Sequence, residues 1–336
     1  MRKSLRLVLI VLAATLFASA IAQNQPIRIG AAVYGLQAEY MQLWTTALQR
    51  HPAVVSGQVQ LTVFDGRYDA SVQQAQFETM VTQRFDGIIF VPIDIEAGAA
   101  AVAVAAAAGI PVVGSNTRVN SDQLASYIGS NDVVGGYQQA VGVFEMLGGK
   151  GNVVILEGPL GQSAQIERRE GNLKALEEYP DINLLVMQPA NWSRAEALAR
   201  MENWLTTYPG QIDGVVGQND EMALGAIEAM KAAGIDVTTI PTSGIDGVTD
   251  AMLAVLAGEH DISILQDARG QAEGALDILL ARIIGPSYEP LGQLWTRYPD
   301  MEWAGGQLDV YNVPWTPITP ENVEALLAER EELTTR

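Results

Sequence analysis

Gly87-Ile88-Ile89-Phe90-Val91 is an unbroken apolar run; an alanine-rich helical pattern follows at 97–108, and Ile110-Pro111-Val112-Val113 then leads into Gly114-Ser115-Asn116. A strand without polar alternation is buried on both faces, as in a parallel sheet covered by helices on both sides. The alanine stretch stops at Gly109, which predicts a buried helix of ordinary length between the two strands. The same succession continues in both directions. Strand-like runs at 27–33, 59–64, 87–91, 110–113, 126–128, 153–156, 184–187, 214–216, 242–245 and 262–265 alternate with helical patterns at 38–49, 71–84, 133–147, 164–178, 194–207, 221–233 and 271–284.

Such alternation predicts an α/β chain with doubly wound, Rossmann-like parallel sheets. The strands are too many for one modest sheet, and the series reads as a unit of roughly 130 residues run twice, hence as two similar domains. Ile110-Pro-Val-Val-Gly-Ser-Asn116 and Gly214-Val-Val-Gly-Gln-Asn219 each end a strand on an amide. With no low-complexity linker between the halves, short hinge strands near Ser130 are expected to join them. The expected division puts 26–130 and 267–295 in an N-terminal lobe, and 131–266 and 296–336 in a C-terminal lobe.

With 336 residues, 48% hydrophobic and 18% charged, the chain can bury enough apolar surface to offset its conformational entropy. Lys and Arg number 20 against 39 Asp and Glu, a formal charge of -19 that repels nucleic acid and anionic lipid. Absence of cysteine removes disulfides, thiolate catalysis and cysteine-ligated metals. Only His51 and His260 could supply imidazole. They are far apart, both are expected on the surface, and neither a metal site nor a catalytic residue nor a cofactor is assigned.

Arg2, Lys3 and Arg6 precede an apolar run from Leu7 to Phe17 and small residues at Ala18, Ala20 and Ala22. This is the pattern of a cleavable secretory signal peptide over 1–22, without a lipobox cysteine, and it predicts a soluble periplasmic protein.

In open parallel sheets, ligands collect beyond the carboxyl ends of the strands, where loops and helix N-termini converge. Those positions hold 34–40, Asp65, Asp94 and Asn116 in the first half. In the second they hold 161–168, Asn191, Trp192, Asn219, Asp220, Asp246, Gln266 and Asp267. Amides, carboxylates, an arginine and aromatic rings, with no nucleophile–base pair among them, suit a neutral polyhydroxylated small molecule. Asp220, just ahead of a helical pattern, reads as a helix cap.

Gln218-Asn-Asp-Glu-Met-Ala-Leu-Gly225, Gly244-Ile-Asp-Gly247, Pro189-Ala-Asn-Trp192, Gly161-Gln-Ser-Ala164 with Glu167-Arg168, Ile110-Pro-Val-Val and Ser130-Asn-Asp-Val-Val-Gly-Gly136 form one co-linear set. From Ile27 to about Ile284 the sequence resembles ribose-binding and related type I periplasmic sugar-binding proteins of ABC importers. The resemblance implies two lobes joined by three crossings, with a sugar enclosed between them. It implies hydroxyl contacts from Arg168, Asn219, Asp246 and, at the hinge, Gln266, stacking by Trp192 and Tyr40, and further polar contacts from Gln37 and Asn116. Two departures point away from ribose itself. Asn116-Thr117 stands where the ribose binder has Asp-Arg, and Glu39-Tyr40 replaces paired phenylalanines, which brings a carboxylate near the first-lobe wall.

The resemblance further implies a monomer that closes on a pentose, hexose, cyclitol or alditol and delivers it to a membrane permease with its ATPase. A sugar-sensing partner of a chemoreceptor or sensor kinase is the alternative. A repressor of the same core would need a DNA-binding helix pair where the leader stands. A glycosidase, with a catalytic pair drawn from the many carboxylates, is the enzymatic alternative. The tail beyond Ile284, with Trp295, Trp303 and Trp315, is expected to cap a lobe surface.

Overall fold

The computed structural model describes residues 25–335; the leader expected over 1–22 lies outside them. The first lobe runs β1 (Ile27–Val33), α1 (Glu39–Gln49), α2 (Pro52–Val55), β2 (Val59–Asp65), α3 (Ala70–Thr82), β3 (Gly87–Val91), α4 (Ala97–Ala107), β4 (Val112–Ser115) and β5 (Ser126–Gly129). The second runs α5 (Asp132–Met146), β6 (Lys150–Glu157), α6 (Ser163–Glu178), β7 (Asp181–Pro189), α7 (Arg194–Thr207), β8 (Gly214–Gly217), α8 (Asp220–Ala232), β9 (Thr242–Asp246), α9 (Thr249–Leu256) and β10 (Ile262–Leu265). The chain ends with α10 (Ala268–Ile284), α11 (Leu294–Arg297), β11 (Val310–Asn312), β12 (Thr316–Ile318) and α12 (Val323–Thr335).

The two sheets repeat one order, β11-β5-β4-β3-β1-β2 and β12-β10-β9-β8-β6-β7. All pairings are parallel except β12 against β10. All five residues of β3 are buried, as the unbroken apolar run requires. One face of the first sheet packs under α1 and α10, with Trp44, Leu48, Leu276 and Leu279 in its core. Phe77, Met80, Phe90 and Val102 fill the opposite face under α3 and α4. Burying each such side chain is worth about 1.5–3 kcal/mol. Helix α4 departs from the expectation of a buried element: Gly98, Ala101, Val102 and Ala105 are inside, while the other side is partly or fully exposed.

Three crossings join the lobes: Ser130-Asn131, Gln266-Asp267 and Val313-Pro314-Trp315. The third corrects the expected boundary at 295. Strand β11 pairs with β5, so the first lobe keeps the chain through Asn312 and the change of lobe comes before Thr316. Strands of three residues show no periodicity, so their pairing partners were not legible. Nor is the tail only a surface cap, since Tyr311 and Leu333 belong to the first-lobe core.

Both histidines are buried, against expectation. His51 Nδ1 accepts the Ala53 N–H that opens α2, and its Nε2 lies 3.1 Å from Asp277 Oδ1. His260 Nδ1 is 2.7 Å from the Thr242 hydroxyl.

Candidate functional site

The lobes meet over their strand carboxyl ends. In both sheets the order reverses beside the first strand, β1 next to β3 and β6 next to β8, which is where such folds open a crevice. A narrow gap lies there between the lobes. Tyr34, Tyr40, Asn116 and Thr117 line it from the first lobe; Gln162, Arg168, Trp192, Asn219, Asp246 and Gln266 line it from the second lobe and the hinge.

Arg168 is the electrostatic centre. Its Nε donates to Asp132 Oδ1 at 2.7 Å, Nη1 to the Gln218 carbonyl at 2.6 Å and Nη2 to Gln266 Oε1 at 3.2 Å. A guanidinium carries five N–H groups, so two remain for a guest. Burial works against the Arg168 cation, but Asp132 and then Asp246 outweigh it and its pKa is raised. The charge is backed by aromatic faces, with Trp192 at 5.4 Å and Trp315 at 5.8 Å from the guanidinium carbon.

Asp246 ends β9 at φ 121°, a conformation that L residues seldom adopt. Its hydrogen bond from a described residue is a long one, from Asn219 Nδ2 to Oδ2 at 3.4 Å. Burial pushes its carboxyl well above the usual range, against the pull of Arg168. Asn219 uses its other end, Oδ1, to cap α8 through the Met222 N–H at 3.0 Å. It is therefore Asn219, not Asp220, that caps this helix. Asp220 instead accepts the N–H groups of Gly247 at 2.7 Å and Val248 at 3.1 Å and the Ser263 hydroxyl at 2.8 Å, fixing the backbone that follows Asp246.

Trp192 is placed at the expense of backbone strain: Asn191 and Trp192 both have left-handed φ, 55° and 58°. The indole N–H donates to Gln162 Oε1 at 2.6 Å, and the ring lies on Gly158, where a Cβ would come within 2.0 Å of it. On the opposite wall, Tyr40 donates its hydroxyl to Gln271 Oε1 at 2.8 Å and accepts from Asn116 Nδ2 at 3.1 Å. Tyr34 lines the gap, and among the described residues its hydroxyl has no hydrogen-bond partner; Gln266 Nε2 is likewise buried and unpaired. Free donors and an open carboxylate beside aromatic faces form a surface that hydroxyl groups complement.

The gap is shut by direct bonds between lobes. The Ile95 N–H donates to the Gly161 carbonyl at 3.0 Å, Gln162 Nε2 to the Pro92 carbonyl at 3.1 Å, and the Arg118 N–H to the Ser163 hydroxyl at 2.6 Å. This geometry is that of a closed two-lobe binding protein.

A family model described as a periplasmic binding protein domain matches residues 29–287. The chain belongs to the periplasmic binding protein family. Members of this family bind solutes for transporters and are not enzymes. A xylitol-binding protein of Mycolicibacterium smegmatis is 39% identical over 217 residues, which is 65% of this chain and 62% of that relative. The chain thus spans less than two thirds of that relative's length. A putative rhizopine-binding protein of Rhizobium meliloti is 33% identical over 78% of this chain and 86% of its own. Among solved structures, an ABC transporter solute binding protein from Bacillus halodurans C-125 with bound myo-inositol superposes with a TM-score of 0.79 at 30% identity. That match covers 91% of this chain and 98% of the other.

In this periplasmic binding protein, the residues expected at the site fall as follows. Tyr40, Asn116, Arg168, Trp192, Asn219, Asp246 and Gln266 come together on the gap, and Gln37 lies on the outer groove at its mouth. The carboxylate of Glu39 is not on the gap wall; it turns to Thr249 and Arg330. Tyr34 and Gln162 are additional lining residues, and both sit in loops already marked by the strand-end rule. Asp132 and Trp315 escaped sequence reasoning because they act through Arg168, from 36 residues away and from the third crossing.

Proposed function

We propose that this protein is the exported substrate-binding component of an ABC importer, and that it captures a neutral polyol or monosaccharide in the interlobe gap. The observation that carries the reading is the buried wall around Arg168. There, Asp246 Oδ1, Gln266 Nε2, the Tyr34 hydroxyl and two guanidinium N–H groups are uncommitted to described residues, beside the Trp192 face. Arg168, the cation among the lining residues, faces both Asp132 and Asp246, which disfavours a phosphate or a carboxylate and favours an uncharged guest rich in hydroxyls.

Relatives named for xylitol and holding myo-inositol support an alditol or cyclitol ahead of a phosphorylated sugar. Groups from both lobes can satisfy one guest only when the gap is shut, so binding selects the closed form. A permease with its ATPase would recognise that form and receive the solute. Export through the leader at 1–22 would put the protein in the periplasm, the compartment of its family.

A thermal-shift screen of the mature chain against pentoses, hexoses, cyclitols and alditols tests the reading. A true ligand at a hundred times its Kd stabilises the native state by about 2.7 kcal/mol. Xylitol and myo-inositol are the first expected hits, and calorimetry should then give one site per chain. A flat response across all four classes would overturn the proposal.

A further inference from the structure

Helix α9 begins without a cap of its own, because its N-cap residue is Val248. The acceptor comes from the opposite lobe. Thr249 donates its N–H at 3.0 Å and its hydroxyl at 2.6 Å to Oε1 of Glu39, the first residue of α1. Arg330 on α12 donates to the same oxygen at 3.1 Å and, through its other Nη, to the Gly247 carbonyl at 2.7 Å. Helix α12 rests on both lobes. Val323, Leu326 and Leu327 pack with Met252, Leu265 and Ile318 of the second, while Leu333 enters the core of the first.

We propose that Glu39 and Arg330 form a latch across the cleft: positioning residues that set ligand affinity by holding the lobes shut, without touching the ligand. The inference rests on the solute-binding reading above and adds residues outside the binding gap to it. Unpaired N–H groups at a helix start attract a carboxylate, and the bond is strengthened by charge and by the helix dipole. Here the helix start and the carboxylate belong to different lobes, so a hinge opening that parts the lobes breaks the cap. Arg330 extends the latch to the residue next to Asp246, because it holds the Gly247 carbonyl while Asp220 holds the Gly247 N–H. Glu39 does not line the gap, so its effect on a ligand runs through closure. The other seam is held by the Ile95–Gly161 backbone bond and by the side chains of Gln162 and Ser163, so replacing Glu39 or Arg330 removes none of its bonds.

The test uses the full mature chain. It has no cysteine, so single cysteines at exposed Gln58 and Ala233, one on each lobe, take nitroxide labels without background. Interlobe distances are measured by pulsed electron resonance with no ligand, with xylitol and with myo-inositol; stopped-flow gives association and dissociation rates for whichever polyol binds. Expected are a closed-distance peak in the parent protein that is depleted in Glu39→Gln and in Arg330→Gln, and dissociation about tenfold faster with unchanged association. The double variant should be no worse than the more affected single one, and the melting temperature of the ligand-free protein should hold in all three.

A parent protein with no closed peak under any of the three conditions overturns the latch. So do variants whose closed peak and dissociation rate match the parent's. If neither polyol alters the parent's distances or melting temperature, the choice of those ligands fails, while loss of a ligand-free closed peak in Glu39→Gln still supports the latch.

Discussion

Replacing Asp246 by Asn isolates the chemistry of the site from its packing. Asparagine keeps the shape and tolerates the positive φ of 121° better than alanine, whose introduction there would add backbone strain to any effect on binding. One carboxyl oxygen becomes an N–H donor, so a ligand hydroxyl loses a buried acceptor. That loss is worth about 1.5–3 kcal/mol, or roughly ten- to 150-fold in Kd. The ligand-free protein should respond in the opposite direction. Burial raises the Asp246 carboxyl in the folded state, so the stability linked to this group is present below its unfolded pKa and lost as pH rises through the folded one. At neutral pH the neutral amide escapes that loss, and the melting temperature should hold or rise. Calorimetric titration with the screened ligand and a thermal melt of the ligand-free chain read the two effects separately. A Kd within threefold of the parent's, or a clear drop in ligand-free melting temperature, would refute the reasoning.

Glu167, whose carboxyl burial pushes up to about 7, faces Arg118 of the other lobe at 3.3 Å. Its raised pKa makes the closed protein lose stability as pH climbs from about 4.5 to 7; subtracting the melting profile of Glu167→Gln from the parent's should leave that slope, and a zero difference would contradict it. Gly171 lets α6 approach α5 closely, since a Cβ there would meet the Val133 carbonyl at 2.2 Å. Gly171→Ala should therefore cost about 1–3 kcal/mol in urea unfolding, whereas a loss below half that range would show that the helices can part freely. Asp277 gathers His51, the Tyr288 hydroxyl, the Leu291 and Gly292 N–H groups and the Trp295 indole. Asp277→Asn should lower unfolding stability by roughly 3 kcal/mol at pH 7, because it strands buried donors. The effect should shrink in acid, where the depressed carboxyl of the parent is itself protonated.

How far the sequence reached is clearest in single residues. Arg168, Asn219 and Asp246 could be marked because strand ends are legible as apolar runs, and a parallel sheet gathers its strand ends on one side. His51 and His260 could not be placed, because a turn with a proline or a glycine looks alike whether a distant element of its own lobe covers it or not. The cap of α8 fell to Asn219 rather than Asp220 for a similar reason: either could cap the helix, and only the position of Gly247 and Val248 assigned Asp220 to them.

By itself, then, the sequence determined the two doubly wound lobes and the polar residue types gathered at their strand ends, because both follow from local periodicity and residue type. Tertiary structure alone decided that β11 joins the first sheet and β12 the second, that Asp132 and Trp315 hold Arg168 in place, and that Glu39 turns from the gap to cap a helix of the other lobe. Those contacts join residues from 36 to 210 positions apart. No local pattern encodes such pairings; they arise when packing of the apolar faces brings the polar groups within reach and burial obliges each to find a partner.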